Sequence, residues 1–443
     1  METRRLGPQN PKDRFDVYRF FNGMSAEGKA GLNKGQLRVP LAKTFLLEHV
    51  SRRTGQPRPV AEIVRRLDAT AVPLDDTFME LRFTERDPAD GQMRCRTTGY
   101  LEVYDERFFA YYTCEDSSAA RKRVNNWVLR PDLDCAWFSS FLLQVLWNDD
   151  VSKRGNDRYG KLIFRHESIF EAPVGATTSG ADDARGEEAE ASEDDNEDET
   201  EDGEGAEPAS DDRPEQERRR ARFEMKDLIG RISGALRKLQ ENYDPLHALC
   251  ALRLPSRCGP GGHDLYQTGQ ITNRTDSFEE HRQTARYLYR IYRAILTRTE
   301  DVAWQDVPSQ DSATRSPSSL KGVPLIVEFP EEIPEATFKT WVRRAFQKKN
   351  QFKLWGEPIW LGPKKVHVYG ADRHLWQPIN LELTSRGVVA ILPQGTCGNT
   401  FHRLVTNIQH YVSPKIKAWL GSEPFEDLVS KWPSNAGEDD EAD

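Results

Sequence analysis

The sequence lacks any apolar run long enough to cross a membrane; no window approaches the 18 or so residues a span requires. Its first residues, Met1-Glu-Thr-Arg-Arg-Leu-Gly-Pro, have no apolar stretch of the kind a secretion signal needs. Cysteine is scarce, with six (Cys95, Cys114, Cys135, Cys250, Cys258, Cys397) in 443 residues, which excludes a disulfide framework. These absences predict a reduced, cytoplasmic protein with no membrane contact, in which the sequon Asn273-Arg-Thr275 is a chance match. Catalytic signatures are missing too. There is no Gly-rich loop ending in Lys-Ser/Thr, no G-x-G-x-x-G after a strand, no H-E-x-x-H and no G-x-S-x-G. No cofactor is implied, and no internal repeat of about 20–50 residues is present.

One absence is local. Between Ala181 and Gln216 there is no Leu, Ile, Val, Phe, Tyr or Trp, but there are 18 Asp or Glu against two Arg. Such a stretch cannot bury enough apolar surface to offset the roughly 1–2 kcal/mol per residue of backbone ordering. A disordered linker over 175–216 is predicted. The whole chain carries −9 at pH 7, yet without this stretch and the acidic tail Gly437–Asp443 the remaining residues carry +12. A basic body with acidic appendages suits binding to polyanions, or docking of the linker on the body's own basic face. An exposed linker is also the preferred place for proteolysis, and cutting there is expected to release two separately folded pieces.

What is present predicts an α+β fold, two folded halves with mainly antiparallel sheets and packed helices. The expected layout is an N-terminal α+β domain (1–174), the acidic linker (175–216), a helical section (217–300), a Ser/Asp/Pro-rich linker (301–322), a C-terminal α+β module (323–430) and an acidic tail (431–443). In the first domain the spacing of Leu41, Phe45, Leu46 and Val50 predicts a helix over Pro40–Thr54, and a second helix follows from Pro59. Thr77–Thr84, Met93–Tyr104 and Arg107–Thr113 read as strands of a meander turning at Asp90-Gly91 and Asp105-Glu106. A buried helix Trp137–Trp147 and a strand Lys161–Phe170 complete it. Pro214–Asn242 reads as a polar, partly basic helix. Ser277-Phe-Glu-Glu280 is a capping box opening a helix to Thr299. The last module patterns as β-α-β-β-β-β-α: Val323–Phe329, Glu335–Lys349, Phe352–Trp360, Lys365–Gly370, Ile379–Leu383, Gly387–Pro393 and Thr400–Val412.

Four constellations could carry chemistry. At about 100° per residue, Arg282, Arg286, Arg290 and Arg293 fall within an arc of about 80° on the capped helix, opposite its apolar side. A row of guanidinium groups suits phosphates or carboxylates; the same pattern also describes a solvated helix face. Arg343, Arg344, Lys348, Lys349, Lys364 and Lys365 make a second basic cluster beside Trp355, Trp360 and Tyr369. Interleaved cations and aromatic rings can clamp single strands, or can be core aromatics beside surface lysines. His247, Cys250, Cys258 and His263 have donor types that suit tetrahedral zinc, in a spacing unlike a standard finger. Cys397 lies in Gly395-Thr-Cys-Gly398 just before a helix, with His402 five residues on. A helix N-terminus lowers a thiol's pKa, so a Cys–His nucleophile is chemically open; a tight turn that happens to hold a cysteine is the plainer reading.

These features favour a non-enzymatic cytosolic regulatory or adaptor protein that binds protein partners through both halves, with the acidic linker as tether, shield or cleavable segment. The alternatives are a nucleic-acid-binding protein using the basic faces of the C-terminal half, and an enzyme built on Cys397 or on zinc.

Overall fold

The structure, a computed structural model, describes residues 6–8, 10–34, 40–49, 62–64, 67, 69–86, 92–128, 133–151, 155–168, 220–305, 322–347 and 352–431. The two linkers largely fall outside these ranges, as do the acidic tail, Asp90-Gly91, Lys348 and Lys349. The described residues form two mainly antiparallel sheets with packed helices, the α+β organisation expected, with folded structure on both sides of the acidic segment.

Helix α1 (Arg14–Asn33) is not picked out by patterning, because its aromatic residues spread over two sides and only a few (Val17, Tyr18, Phe21) are buried. Asp13 caps it by accepting from the amide of Asp16. Strand β1 (Lys43–His49) corrects the helix expected at Pro40–Thr54. All seven residues are buried, so a central strand covered on both faces shows no period of two, and its short apolar run fits a helical face equally well. Strand β2 (Ala69–Pro73), which the patterning does not pick out, pairs with the first strand of the expected meander, β3 (Phe78–Arg86), β4 (Met93–Val103) and β5 (Phe108–Thr113). At its β4–β5 turn the Asp105 carboxylate accepts from the amides of Arg107 and Phe108. Helix α2 (Ser117–Val128), strand β6 (Leu133–Cys135), helix α3 (Ser140–Leu146) and strand β7 (Tyr159–Glu167) come next.

The expected helical section 217–300 holds four strands as well as two helices. It opens with β8 (Arg220–Leu228), where Ala221, Phe223 and Met225 alternate with Arg222, Glu224 and Lys226 in a period of two. Only then comes helix α4 (Ile229–Asn242), followed by β9 (Leu249–Pro255), β10 (Gly262–Tyr266), β11 (Gln270–Asn273) and helix α5 (Phe278–Ala303). All four strands join the first sheet, whose order is β2-β3-β4-β5-β1-β11-β10-β9-β7-β8, with β6 also on β1. Strands β7 and β8 are antiparallel neighbours, in register from Tyr159↔Leu228 to Glu167↔Arg220. The acidic segment therefore connects adjacent strands of one sheet.

The second sheet holds β12 (Trp304–Gln305), β13 (Leu325–Glu328), β14 (Leu354–Gly362), β15 (Lys365–Asp372), β16 (Gln377–Thr384), β17 (Gly387–Pro393), β18 (Lys417–Leu420) and β19 (Glu423–Pro424). Its order is β14-β15-β16-β17-β13-β18-β19, with β12 beside β17. Helices α6 (Glu335–Ala345), α7 (Asn399–Tyr411) and α8 (Phe425–Ser430) accompany it. Trp127 and Val124 of helix α2, with Ile63, Val64 and Leu67, cover one face of the meander. The other face shares a continuous apolar core with α5, α7 and the second sheet, from Val17 through Phe278, Leu288 and Phe401 to Val429. Helix α5, about 39 Å long at 1.5 Å per residue, is the spine between the sheets. None of the described helices is long and apolar enough to cross a membrane, and none of the six cysteines forms a disulfide.

Candidate functional site

The turn into α7 is set by Gly395, whose φ of 82° lies where a side chain is strained. It delivers Cys397 into a buried polar cluster between the sheets. The thiol donates to Glu48 Oε1 at 3.0 Å, and Arg107 donates to the sulfur at 3.5 Å. Arg107 also grips Glu48 (2.7 Å) and takes Glu300 in a two-point pair at 2.6 and 2.8 Å. The amide of Gly398 donates to Glu300 Oε1, and Tyr292 donates to Glu48 Oε2. Burial raises the Glu48 pKa, with Arg107 opposing. Burial first, and then the negative charge of Glu48, push the Cys397 thiol well above its ordinary value.

The helix terminus was expected to lower that pKa. It does not, because a fully buried sulfur beside a carboxylate loses far more than two or three amides return. His402 does not meet the thiol in a hydrogen bond. Its Nε2 faces the Thr299 hydroxyl at 3.2 Å, and burial lowers its pKa to about 3. Cys397, in the turn before α7, and His402, in its first turn, thus make separate contacts.

A second arginine-centred group lies one turn along. Arg403 pairs with Asp134 of β6 at 2.6 Å and with Asp372 of β15, while Asn399 donates to Asp134 and Thr400 to Asp372. All three charged groups are almost fully buried. Arg403 holds the Asp372 carboxyl far below the usual range against the opposing effect of burial. The two groups share one design: an arginine bridges an acid of the first sheet and an acid from α5 or the second sheet. Their charges are consumed by one another, which suits fastening the sheets rather than binding a substrate.

The arginine row of α5 faces inward more than the pattern implied. Arg282 and Arg286 both pair with the buried Glu102 of β4, at 2.7 Å each, and Arg293 reaches Asp105 at 3.1 Å. Arg290 and Arg293 border an open groove with Thr297 and Arg298, in which Arg298 pairs with Glu423. The side of α5 opposite its apolar stripe meets the β4–β5 hairpin, so three of the four arginines, Arg282, Arg286 and Arg293, pair with acids of that hairpin.

The four His and Cys residues do not converge. His247 Nε2 lies against the Gln240 carbonyl, Cys250 donates to the Ile163 carbonyl, Cys258 is exposed, and His263 stacks on His281 in the core. Among the described residues no group of three or more His, Cys, Asp or Glu could hold a metal ion. Zinc at this set is corrected accordingly.

In the second basic cluster, Lys364 pairs with Glu332 at 2.6 Å and Lys365 with Glu382 at 2.9 Å. Arg343 borders a groove between α6 and β14, with Lys339, Phe346 and Trp360; Arg344 is on the same helix. The aromatic residues beside this cluster are not core. On the outer face of β14–β15, Trp355 is 62 % exposed, Ile359 49 % and Tyr369 68 %. The alternation of β15, with Val366 and Val368 inward, puts Tyr369 outward; only the tertiary fold shows that nothing described covers it.

Residues 262–426, from β10 to the start of α8, match the family model described as MJECL33-like protein. The chain is 32 % identical over 146 residues to "Uncharacterized protein MJECL33" of Methanocaldococcus jannaschii, a match covering 33 % of each protein. The match thus spans about a third of that relative's length. No solved structure matches the chain.

Proposed function

We propose that this protein is a non-enzymatic, cytosolic binding protein that docks a protein partner on the outer face of its second sheet, at β14–β15. The observation that carries this reading is the cluster of Trp355, Ile359 and Tyr369, three large side chains exposed on one face at a sheet edge. Tryptophan and tyrosine are the residues whose burial contributes most at protein interfaces. Nucleic acid is the weaker reading, because a phosphate backbone needs available cations. Here Lys364, Lys365, Arg282 and Arg286 already face carboxylates. The cytosolic setting rests on six cysteines of which none is in a disulfide.

The test uses the full-length chain purified from its own host. Replacing Trp355 and Tyr369 together by alanine is expected to leave the melting temperature unchanged and to abolish the complex with whatever protein co-purifies. A labelled single-stranded oligonucleotide is expected not to bind at low salt. A complex that survives both substitutions, or an oligonucleotide bound by the parent chain and lost by the variant, would contradict the reading.

A further inference from the structure

We infer that Trp355, Glu357 and Tyr369 form a cradle for a cationic side chain, lysine or arginine, presented by the partner polypeptide. This inference rests on the docking role proposed for the outer face and names the chemistry that face selects. The strand register sets the arrangement. Glu357 lies directly opposite Tyr369, and Trp355 lies opposite Ala371, so all three side chains project from the same face. Directly opposed residues stand about 5 Å apart, and diagonal neighbours such as Trp355 and Tyr369 about 7–8 Å. That diagonal gap leaves room for one extended side chain to pass over the carboxylate between two rings. Alanine, the residue opposite Trp355, is too small to fill it.

The charges choose the sign of the guest. On the same face Lys365 and His367 both close on Glu382, at 2.9 and 2.7 Å. Glu357 is exposed and makes no ion pair among the described residues; Lys339 and Arg343 border the same groove without closing on it. A partner surface that covered this carboxylate without a cation would leave an uncompensated charge in the interface. Ring faces carry negative potential and favour a cation within about 6 Å. Carboxylate and rings therefore act in the same direction, and both disfavour a phosphate or an acidic peptide. The aliphatic stem of a lysine or arginine would lie along Ile359, which continues the same face along β14.

The experiment measures binding of the full-length chain to immobilised peptides of one neutral sequence with a central Lys, trimethyl-Lys, Arg or Glu. The cationic peptides are expected to bind about tenfold or more tightly than the glutamate peptide. Glu357→Gln should remove most of the preference for Lys and Arg over Glu, and Trp355→Ala should weaken all three cationic peptides. All three residues are exposed, so unchanged thermal melting is the control for folding. Equal binding of the Lys and Glu peptides, or affinities unaffected by both variants, would overturn the cradle. Loss of the native complex in the Trp355/Tyr369 variant without any cationic preference would sink the cradle and leave the docking reading intact. Cationic preference with a native complex that survives that variant would do the reverse.

Discussion

Two buried residues make opposite cases about charge. Lys43, the first residue of β1, donates to the carbonyls of Leu41 and Glu115 at 2.9 and 2.7 Å, and burial lowers its pKa to about 8. Between pH 8 and the unfolded value near 10.5, the unfolded chain holds a proton that the folded chain has released. Stability should therefore rise with pH in that window, by up to about 3 kcal/mol relative to Lys43→Met. Urea unfolding of both proteins at pH 7.5 and 10 reads the difference; a constant gap would mean that Lys43 titrates normally. Arg403 is the contrary case, a buried cation between two buried acids. Arg403→Leu strands Asp134 and Asp372 and should cost about 3–5 kcal/mol, whereas also converting both acids to asparagine should restore much of the loss. A single-variant loss under about 1 kcal/mol would show that the group is not fastened as described. Neither residue's setting is legible in the sequence. Lys43 falls in the span read as a helix over Pro40–Thr54, and Arg403 looks like the polar side of an amphipathic helix.

Elements were legible where one face is wet. The period of two in β15 and β16 and the apolar faces of α6 and α5 follow from partial exposure, and their positions agree closely with the sequence reading. Burial on both sides defeats that logic. Strand β1 loses its alternation, and α7 hides polar residues that patterning assigns to solvent. From Asn399 to His410 every residue of α7 is buried, because the first sheet lies on one side and the second on the other. His402 and His410 are accordingly kept neutral, each with a pKa lowered to about 3 chiefly by burial. As pH falls from the unfolded value near 6.5 toward 3, only the unfolded chain gains these protons. Stability should drop by up to about 1.4 kcal/mol per pH unit for each histidine. Comparing denaturant unfolding of His402→Phe with the parent at pH 6.5 and 5 should show a shallower fall in the variant. Identical slopes would mean that His402 titrates as if exposed. The candidate cation cradle was half legible in the same terms: Trp355 and Tyr369 stood out in the sequence, but their exposure and their register with Glu357 depend on the hairpin.

At the scale of the molecule, composition located the acidic segment but could not say what it joins. Low hydrophobicity is a local property, whereas strand pairing is not. The partners of β7 are β8, beyond the segment, and β9. A segment between sheet neighbours needs no rigid path, since closing a longer loop costs only about 0.6 kcal/mol per doubling of its length. The expectation that a cut releases two separately folded pieces is overturned by this topology, because the β7–β8 ladder and the shared core hold both sides together. The direct measurement is to nick the full-length chain within 175–216 with a glutamate-specific protease and pass it over a sizing column in native buffer. Both fragments should elute together as one particle near the intact mass of 50.7 kDa and separate only in denaturant. Two folded fragments eluting apart in native buffer would contradict the single shared sheet on which this description rests.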